Sequence, residues 1–181
     1  MKPFQNKSTV KIAGFGGQGV VLASIILGRA ALVDGKYATQ TASYGSESRG
    51  GECKSEVVIS SDKIDYPLVD KVQTLVVMSQ PALSKYVDDL LPGGTLLVDP
   101  DMVKEMPDKD GINIIKVPAT KMAENLGRRI VANMVMLGAL QEHMKIVSKD
   151  ALLQAAKENV PPRTVDLNVK AIEEGIRLVR Q

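Results

Sequence analysis

Three glycines, Gly14, Gly16 and Gly19, stand as GxGxxG within "AGFGGQG", residues 13–19, between the strand-like "TVKI" and the apolar run "VVLASIILG". Glycines at that spacing let backbone N–H groups approach a pyrophosphate at the positive end of a helix, so the chemistry they suggest is dinucleotide binding. The same fingerprint requires an acidic residue at the end of the second strand, for the ribose hydroxyls. Asp34 lies at about the right sequence distance but precedes that strand, whose end carries Ser43 and Tyr44 instead. Arg49 is the one candidate for a 2′-phosphate. A Walker loop is excluded, because no Lys-Ser or Lys-Thr follows the glycines. A glycine turn that merely permits close helix–strand packing is the plainer reading.

A second glycine-rich stretch, "YGSESRGG" at residues 44–51, sets Glu47 and Arg49 among Gly45, Gly50 and Gly51. Open α/β sheets place their ligand crevice at the carboxyl ends of strands. If the two loops leave such ends on adjacent strands, Tyr44, Glu47 and Arg49 stand beside Gly16, Gly17, Gln18 and Gly19. The alternative is an internal Glu47–Arg49 pair that stiffens a solvated loop.

The elements that must position these loops follow from periodicity. A buried strand is expected over 9–13, a helix over 17–33 closed by Asp34-Gly35, and a second strand over 37–43. Residues 52–60, "ECKSEVVIS", alternate like a half-solvated strand. Eight loop residues are too few for a parallel crossover, so the strands over 37–43 and 52–60 must be antiparallel and the sheet mixed. Further strands are expected at "TLVVMS", "GTLLVD" and "INIIKVP", with a helix over 81–91. The last third reads as helices over 120–126, 130–143, 148–159 and 164–179, with Ser148 and Thr164 as N-caps and Pro161-Pro162 between the last two. This gives an α/β fold: a Rossmann-like mixed, mostly parallel sheet flanked by helices, with an antiparallel strand pair and carboxy-terminal helices, in one domain over 1–181. Between Val20 and Val33 only Ser24 and Arg29 are polar, so that helix must be covered on more than one side. The carboxy-terminal helices or another subunit can supply the second cover, and a subunit is the expectation.

Composition narrows the function classes. Apolar residues make up 44% of the 181-residue chain and aromatics 3%, which suits aliphatic sheet and helix layers more than a base-stacking nucleic-acid binder. The net charge of +2 carries no basic block, so neither nucleic acid nor an anionic membrane is an indicated partner. No apolar run approaches a membrane span and "MKPFQNKS" is no secretory signal, which points to the cytoplasm. The single cysteine, Cys53, excludes an internal disulfide and any iron–sulfur cluster held by this chain alone. Its surroundings offer little to activate a thiol. His143 closes an apolar helix with no carboxylate partner beyond Glu142, so no catalytic residue and no metal site is assigned. The stripe of Met134, Met136, Leu137 and Leu140 reads as packing. Arg128 and Arg129, at a helix junction, read as surface or subunit-contact charges, with phosphate binding as the alternative.

Several segments together carry a family resemblance: "AGFGGQGVVLASIILGRAA", "GKYATQTASYGSESRGGECKSEVVIS", "IDYP" and "ANMVMLGAL". They resemble the gamma subunit of 2-oxoacid:ferredoxin oxidoreductases, most of all the 2-oxoglutarate type, over nearly the whole chain. The paired motifs GxGGQG and SYGxExRGG are far more specific than GxGxxG, and Ser46 and Ser48 fill the variable positions of the second. The resemblance implies a multi-subunit enzyme that decarboxylates a 2-oxoacid on thiamine diphosphate with Mg2+. Electrons then leave through iron–sulfur clusters to ferredoxin, and the acyl group passes to coenzyme A. It implies alpha, beta and delta subunits as partners, with thiamine and clusters on those chains and no catalysis by this chain alone. Gly14, Gly16, Gly17, Gln18, Gly19, Tyr44, Gly45, Glu47, Arg49, Gly50 and Gly51 become the expected loops for coenzyme A or neighbouring subunits. A homodimer is expected when the partners are missing. Two other readings stay open: a free-standing NAD(P)- or FAD-binding oxidoreductase, and a noncatalytic α/β scaffold.

Overall fold

The computed structural model of the protein describes residues 7–45, 51–66 and 69–180. Among them lie the strands β1 (Lys7–Phe15), β2 (Tyr37–Tyr44), β3 (Glu52–Ser60), β4 (Val72–Val77), β5 (Leu90–Val98) and β6 (Asn113–Lys116). The helices are α1 (Val20–Val33), α2 (Gln80–Tyr86), α3 (Ala119–Asn125), α4 (Ala132–Met144), α5 (Lys149–Asn159) and α6 (Val165–Arg180). The strands make one sheet in the order β2-β3-β1-β4-β5-β6. β3 pairs antiparallel with both β1 and β2, while β1, β4, β5 and β6 pair in parallel. Five strands therefore run one way and β3 alone is reversed, which is the mixed, mostly parallel α/β sheet expected.

One expectation fails here: β1 and β2 are not adjacent, because β3 lies between them. The short return from β2 fills the place beside β1 that a second βα unit would have taken. The glycine loops still meet, since the start of β3 sits at the carboxyl end of β1.

The chain alternates sides as each strand dictates. Val10 and Ile12 enter a large core under α1, α3, α4, α5 and α6, while Ala13 joins a smaller one with Leu83, Tyr86 and Val103 on the opposite face. α1 buries Ala23, Ile26, Leu27, Ala30 and Ala31. Its second face meets α5, so the carboxy-terminal helices cover the side where a subunit was expected.

Helix ends differ from expectation for local reasons. α1 starts at Val20 and not at Gly17, because Gly17 (φ 100°) and Gly19 (φ 74°) are left-handed and cannot continue a right-handed helix. α2 stops at Tyr86, and a 3-10 turn at Val87–Asp89 leads into β5. Pro92 disfavours helical backbone at Leu91, which closes the route to a longer helix. α4 starts at Ala132, after a 3-10 turn over Arg129–Val131. Ser148 caps α5 as expected, its Oγ accepting from the Ala151 N–H at 3.1 Å. Thr164 does not cap α6 in that way: its hydroxyl donates to the Pro161 carbonyl at 2.9 Å, inside the 3-10 turn Pro162–Thr164.

α4 and α6 cross at two glycines. A Cβ at Gly138 would collide with the Ile172 carbonyl, and one at Gly175 with the Val135 carbonyl. Backbone thus meets backbone at the crossing, which holds the Met134, Met136, Leu137 and Leu140 stripe inside the core. That is the packing role expected for the stripe.

Candidate functional site

The glycine turn is set by residues outside its own spacing rule. The Gln18 side chain folds back so that Oε1 accepts from the Phe15 N–H at 2.6 Å, while Nε2 donates to the Met78 carbonyl at 2.7 Å. One side chain therefore joins the end of β1 to the end of β4. Gly14 leaves room for it, since a Cβ there would collide with Oε1 of Gln18. From α4, Nδ2 of Asn133 donates to the Gly19 carbonyl at 3.1 Å, and a Cβ on Gly19 would collide with that amide. Gly17 has open space where a Cβ would lie, so its constraint is the backbone angle alone.

The second glycine stretch comes to the first through the backbone. The Gly16 N–H donates to the Gly51 carbonyl at 2.7 Å, and the Gly45 N–H to the Glu52 carbonyl at 2.7 Å. Tyr44 pairs across β3 with Cys53, which pairs in turn with Gly14, and Tyr44 is 66% exposed. Glu47, Arg49 and Gly50 lie outside the described residues.

Beside Gly17 and Gln18 opens a cavity of about 290 Å³, lined also by Met78, Thr120, Arg129 and Ile130. Thr120 is held by Asp99, fully buried at the end of β5, whose Oδ2 accepts from the Thr120 N–H at 2.8 Å and hydroxyl at 2.6 Å. Oδ1 of Asp99 accepts from the Asp101 N–H at 3.0 Å, so the buried carboxylate has donors on both oxygens. Arg129 lies 3.9 Å from Glu124, at an exposed, loose pair, and its Nη2 meets Sδ of Met102 at 2.9 Å. Ile130, 56% exposed, separates this cavity from a second of about 210 Å³ lined by Gly19, Arg128, Asn133 and Asn168. Arg128 and Arg129 are surface residues, as expected, and each lines a cavity beside the glycine turn.

The geometry speaks against a dinucleotide. Two amides of the turn are taken within the chain, Gly16 by Gly51 and Gln18 by the Phe15 carbonyl at 3.1 Å. Asp34 stands at the far end of α1, about 21 Å away by helix rise. Its two oxygens accept from the N–H and hydroxyl of Ser148, each at 2.6 Å. The acid that sequence distance offered for a ribose thus tethers α5. Burial raises the Cys53 pKa, which disfavours the thiolate and any reactive role. Glu142 pairs with Arg180 at 2.9 Å, a hydrogen-bonded contact that holds its carboxyl below the usual range. Among the described residues no group of three or more His, Cys, Asp or Glu is placed to hold a metal ion, and no helix is long and apolar enough to cross a membrane.

Sequence reasoning missed Asn133, Asp99, Thr120 and Met78 as parts of this site. Asp99 left one signal, an acid closing the apolar strand end "LLV", where only a hydrogen-bonded role is tolerated. Asn133 left none beyond being the one amide in "ANMVMLGAL".

Comparison with known proteins follows the same outline. The chain is 51% identical over 182 residues to the 2-oxoglutarate synthase subunit KorC of Methanothermobacter marburgensis, covering 97% of this chain and 98% of that protein. It is 47% identical over 179 residues to the subunit of the same name from Methanocaldococcus jannaschii, covering 97% and 95%. Its structure resembles that of a keto/oxoacid ferredoxin oxidoreductase gamma subunit from Geobacter sulfurreducens PCA, with a TM-score of 0.85 at 39% identity over 96% of this chain and 98% of that one. The model of the pyruvate ferredoxin/flavodoxin oxidoreductase family matches residues 9–178, and the chain belongs to that family.

Proposed function

We propose that this chain is the gamma subunit of a 2-oxoacid:ferredoxin oxidoreductase of the 2-oxoglutarate type. The observation that carries this reading is identity of about half, end to end, with proteins named as 2-oxoglutarate synthase subunits. The complex oxidatively decarboxylates the 2-oxoacid on thiamine diphosphate, forms the acyl-CoA and delivers electrons through iron–sulfur clusters to ferredoxin, in the cytoplasm. Alpha, beta and delta chains are its partners. One buried thiol and no acidic or imidazole cluster among the described residues make a poor donor set for magnesium-bound thiamine or for a cluster. Those groups belong to the other chains in this reading, and the free-standing NAD(P) or FAD enzyme is not favoured.

Within the complex the paired glycine loops face neighbouring chains and shape the entrance through which coenzyme A reaches the thiamine adduct. The Gly16–Gly51 hydrogen bond supports the loops acting as one unit, and the cavity beside Gly17 lies on their rim. Arg49 meets an anionic group there bidentately, a phosphate of coenzyme A or a carboxylate. The test is an assembled enzyme carrying Arg49→Ala, assayed for 2-oxoglutarate-dependent reduction of ferredoxin against coenzyme A concentration. The apparent KM for coenzyme A should rise about tenfold, the scale of a lost hydrogen bond to a charged group. Unchanged kinetics in an intact complex would remove the role of Arg49. Tight binding of NAD, NADP or FAD to the purified chain would overturn the whole reading.

A further inference from the structure

The largest of the cavities described for this chain lies at the end of the sheet opposite the glycine turn. It measures about 420 Å³ and is lined by Lys7, Lys36, Lys145, Ser8, Ser60 and Gln73. The register brings them together: Lys7 on β1 pairs with Ser60 on β3, which pairs with Tyr37 on β2, directly after Lys36. Two strand spacings, about 10 Å, separate the backbones of Lys7 and Tyr37. Lys145 joins from the end of α4.

Three lysines line this cavity, and no carboxylate-bearing residue is among the described residues that line it. Two of the acids near in sequence, Asp34 and Glu142, are held by stronger partners. Asp34 holds Ser148 with both oxygens, and Glu142 holds Arg180 at 2.9 Å while staying 4.0 Å from Lys145. Nζ of Lys36 donates to the Ile146 carbonyl at 2.6 Å, which fixes the ammonium against the cavity wall with two protons left to give. Ser60 is buried, and its Oγ accepts from the Asp62 N–H at 3.1 Å, which fixes the hydroxyl at the cavity wall. Lys145 is the one non-glycine residue with positive φ among the described residues, at 49°. Glycine would hold that helix end without the steric cost that the lysine carries.

We propose that this cavity is an anion site that binds a phosphate or diphosphate group through Lys7, Lys36, Lys145 and the Ser60 hydroxyl. A dianion neutralises like charges that otherwise repel, and it accepts from the ammonium protons that Lys36 does not give to Ile146. The site is separate from the glycine turn and stands whether or not the loops there meet coenzyme A.

The probe is inorganic pyrophosphate, titrated calorimetrically into the purified full-length chain at fixed ionic strength, with ADP as a second arm. Saturable binding of pyrophosphate is expected, weakened about fivefold or more in both Lys7→Ala and Lys145→Gly, the scale of one charge-assisted hydrogen bond at a half-open site. Lys145→Gly should unfold at the same or a higher temperature than the wild type without anion, because it relieves the positive φ. Stability and binding then move in opposite directions, which loss of fold could not produce. Tighter binding of ADP than of pyrophosphate assigns the site to an organic phosphate, and the reverse assigns it to inorganic polyphosphate. Absence of saturable binding of either, or equal binding by wild type and both variants, would overturn the proposal.

Discussion

The side-chain amide of Asn133, on α4, donates to the carbonyl of Gly19 at 3.1 Å and occupies the space where a Cβ on that glycine would stand. Gly17, two residues earlier, has a φ of 100° and nothing nearby. The two glycines should therefore tolerate alanine differently. Gly17→Ala meets only the left-handed backbone penalty, about 1–2 kcal/mol. Gly19→Ala adds displacement of Asn133 and should cost about 3 kcal/mol or more. Urea midpoints of the two variants measure the gap, and equal losses would show that Asn133 yields freely.

Gln18 bonds two backbone groups at once, the Phe15 N–H and the Met78 carbonyl. Gln18→Ala leaves both without their partner, at about 2–3 kcal/mol together. Gln18→Glu keeps an acceptor for Phe15 but turns a carboxylate oxygen toward the Met78 carbonyl. Its deficit relative to wild type should be large at pH 7 and shrink toward pH 4, where the protonated acid donates again. Stability curves of both proteins across that range check the crossover.

Lys11, 2% exposed in its side chain, sits between Glu56 at 2.9 Å and Asp89 at 2.5 Å, with the Tyr86 ring centroid 5.2 Å from its ammonium. Burial pushes the Glu56 carboxyl up, but hydrogen bonds and charge from Lys11 and Lys54 outweigh it and hold the pKa below the usual value. A carboxyl depressed in the folded state contributes its stability in full above the unfolded pKa and loses it as pH falls through the folded one. Wild type should weaken on acidification below the ordinary carboxylate range. Glu56→Gln should be about 2–4 kcal/mol less stable at pH 7 and show a flatter acid limb, with Asp89 still holding Lys11. A parallel acid limb in wild type and variant would detach Glu56 from this behaviour.

Alanine at Gly138 drives a methyl into the Ile172 carbonyl on α6, where neither side is a flexible side chain. The helices must separate, at about 3–4 kcal/mol, which for a chain of this length lowers Tm by about 10 °C. Differential scanning of Gly138→Ala beside Gly28→Ala makes the comparison, since a Cβ at Gly28 meets only the Ala38 methyl, 4.0 Å away. A similar Tm for the two would show that the crossing is looser than its backbone spacing.

What the sequence made legible, and what it did not, divides along the range of the forces involved. The mixed sheet followed from local arithmetic, since eight residues between two strand-like runs forbid a parallel crossover. The Ser148 cap followed from a local side chain–backbone bond. The place of β3 between β1 and β2 did not, because strand order is a long-range choice that the "ECKSEVVIS" alternation does not encode. The cover on α1 was misjudged for a related reason: apolarity on both faces says that two neighbours exist, not that one is α5. In the site, Gly16 does meet Gly51, but through the start of β3 and not through the adjacent strands on which the sequence argument relied. Asn133 was not legible, for it reaches the turn from 114 residues away.

That separation bears on how the chain matures during synthesis. The first strand and its turn leave the ribosome early, but the amide that latches Gly19 is made 114 residues later. At the usual pace of translation the nascent turn waits roughly 6 to 23 s without its latch. Until α4 emerges, the turn lacks the bond that fixes it, so the shape of this face is settled only when a segment far along the polypeptide has been made.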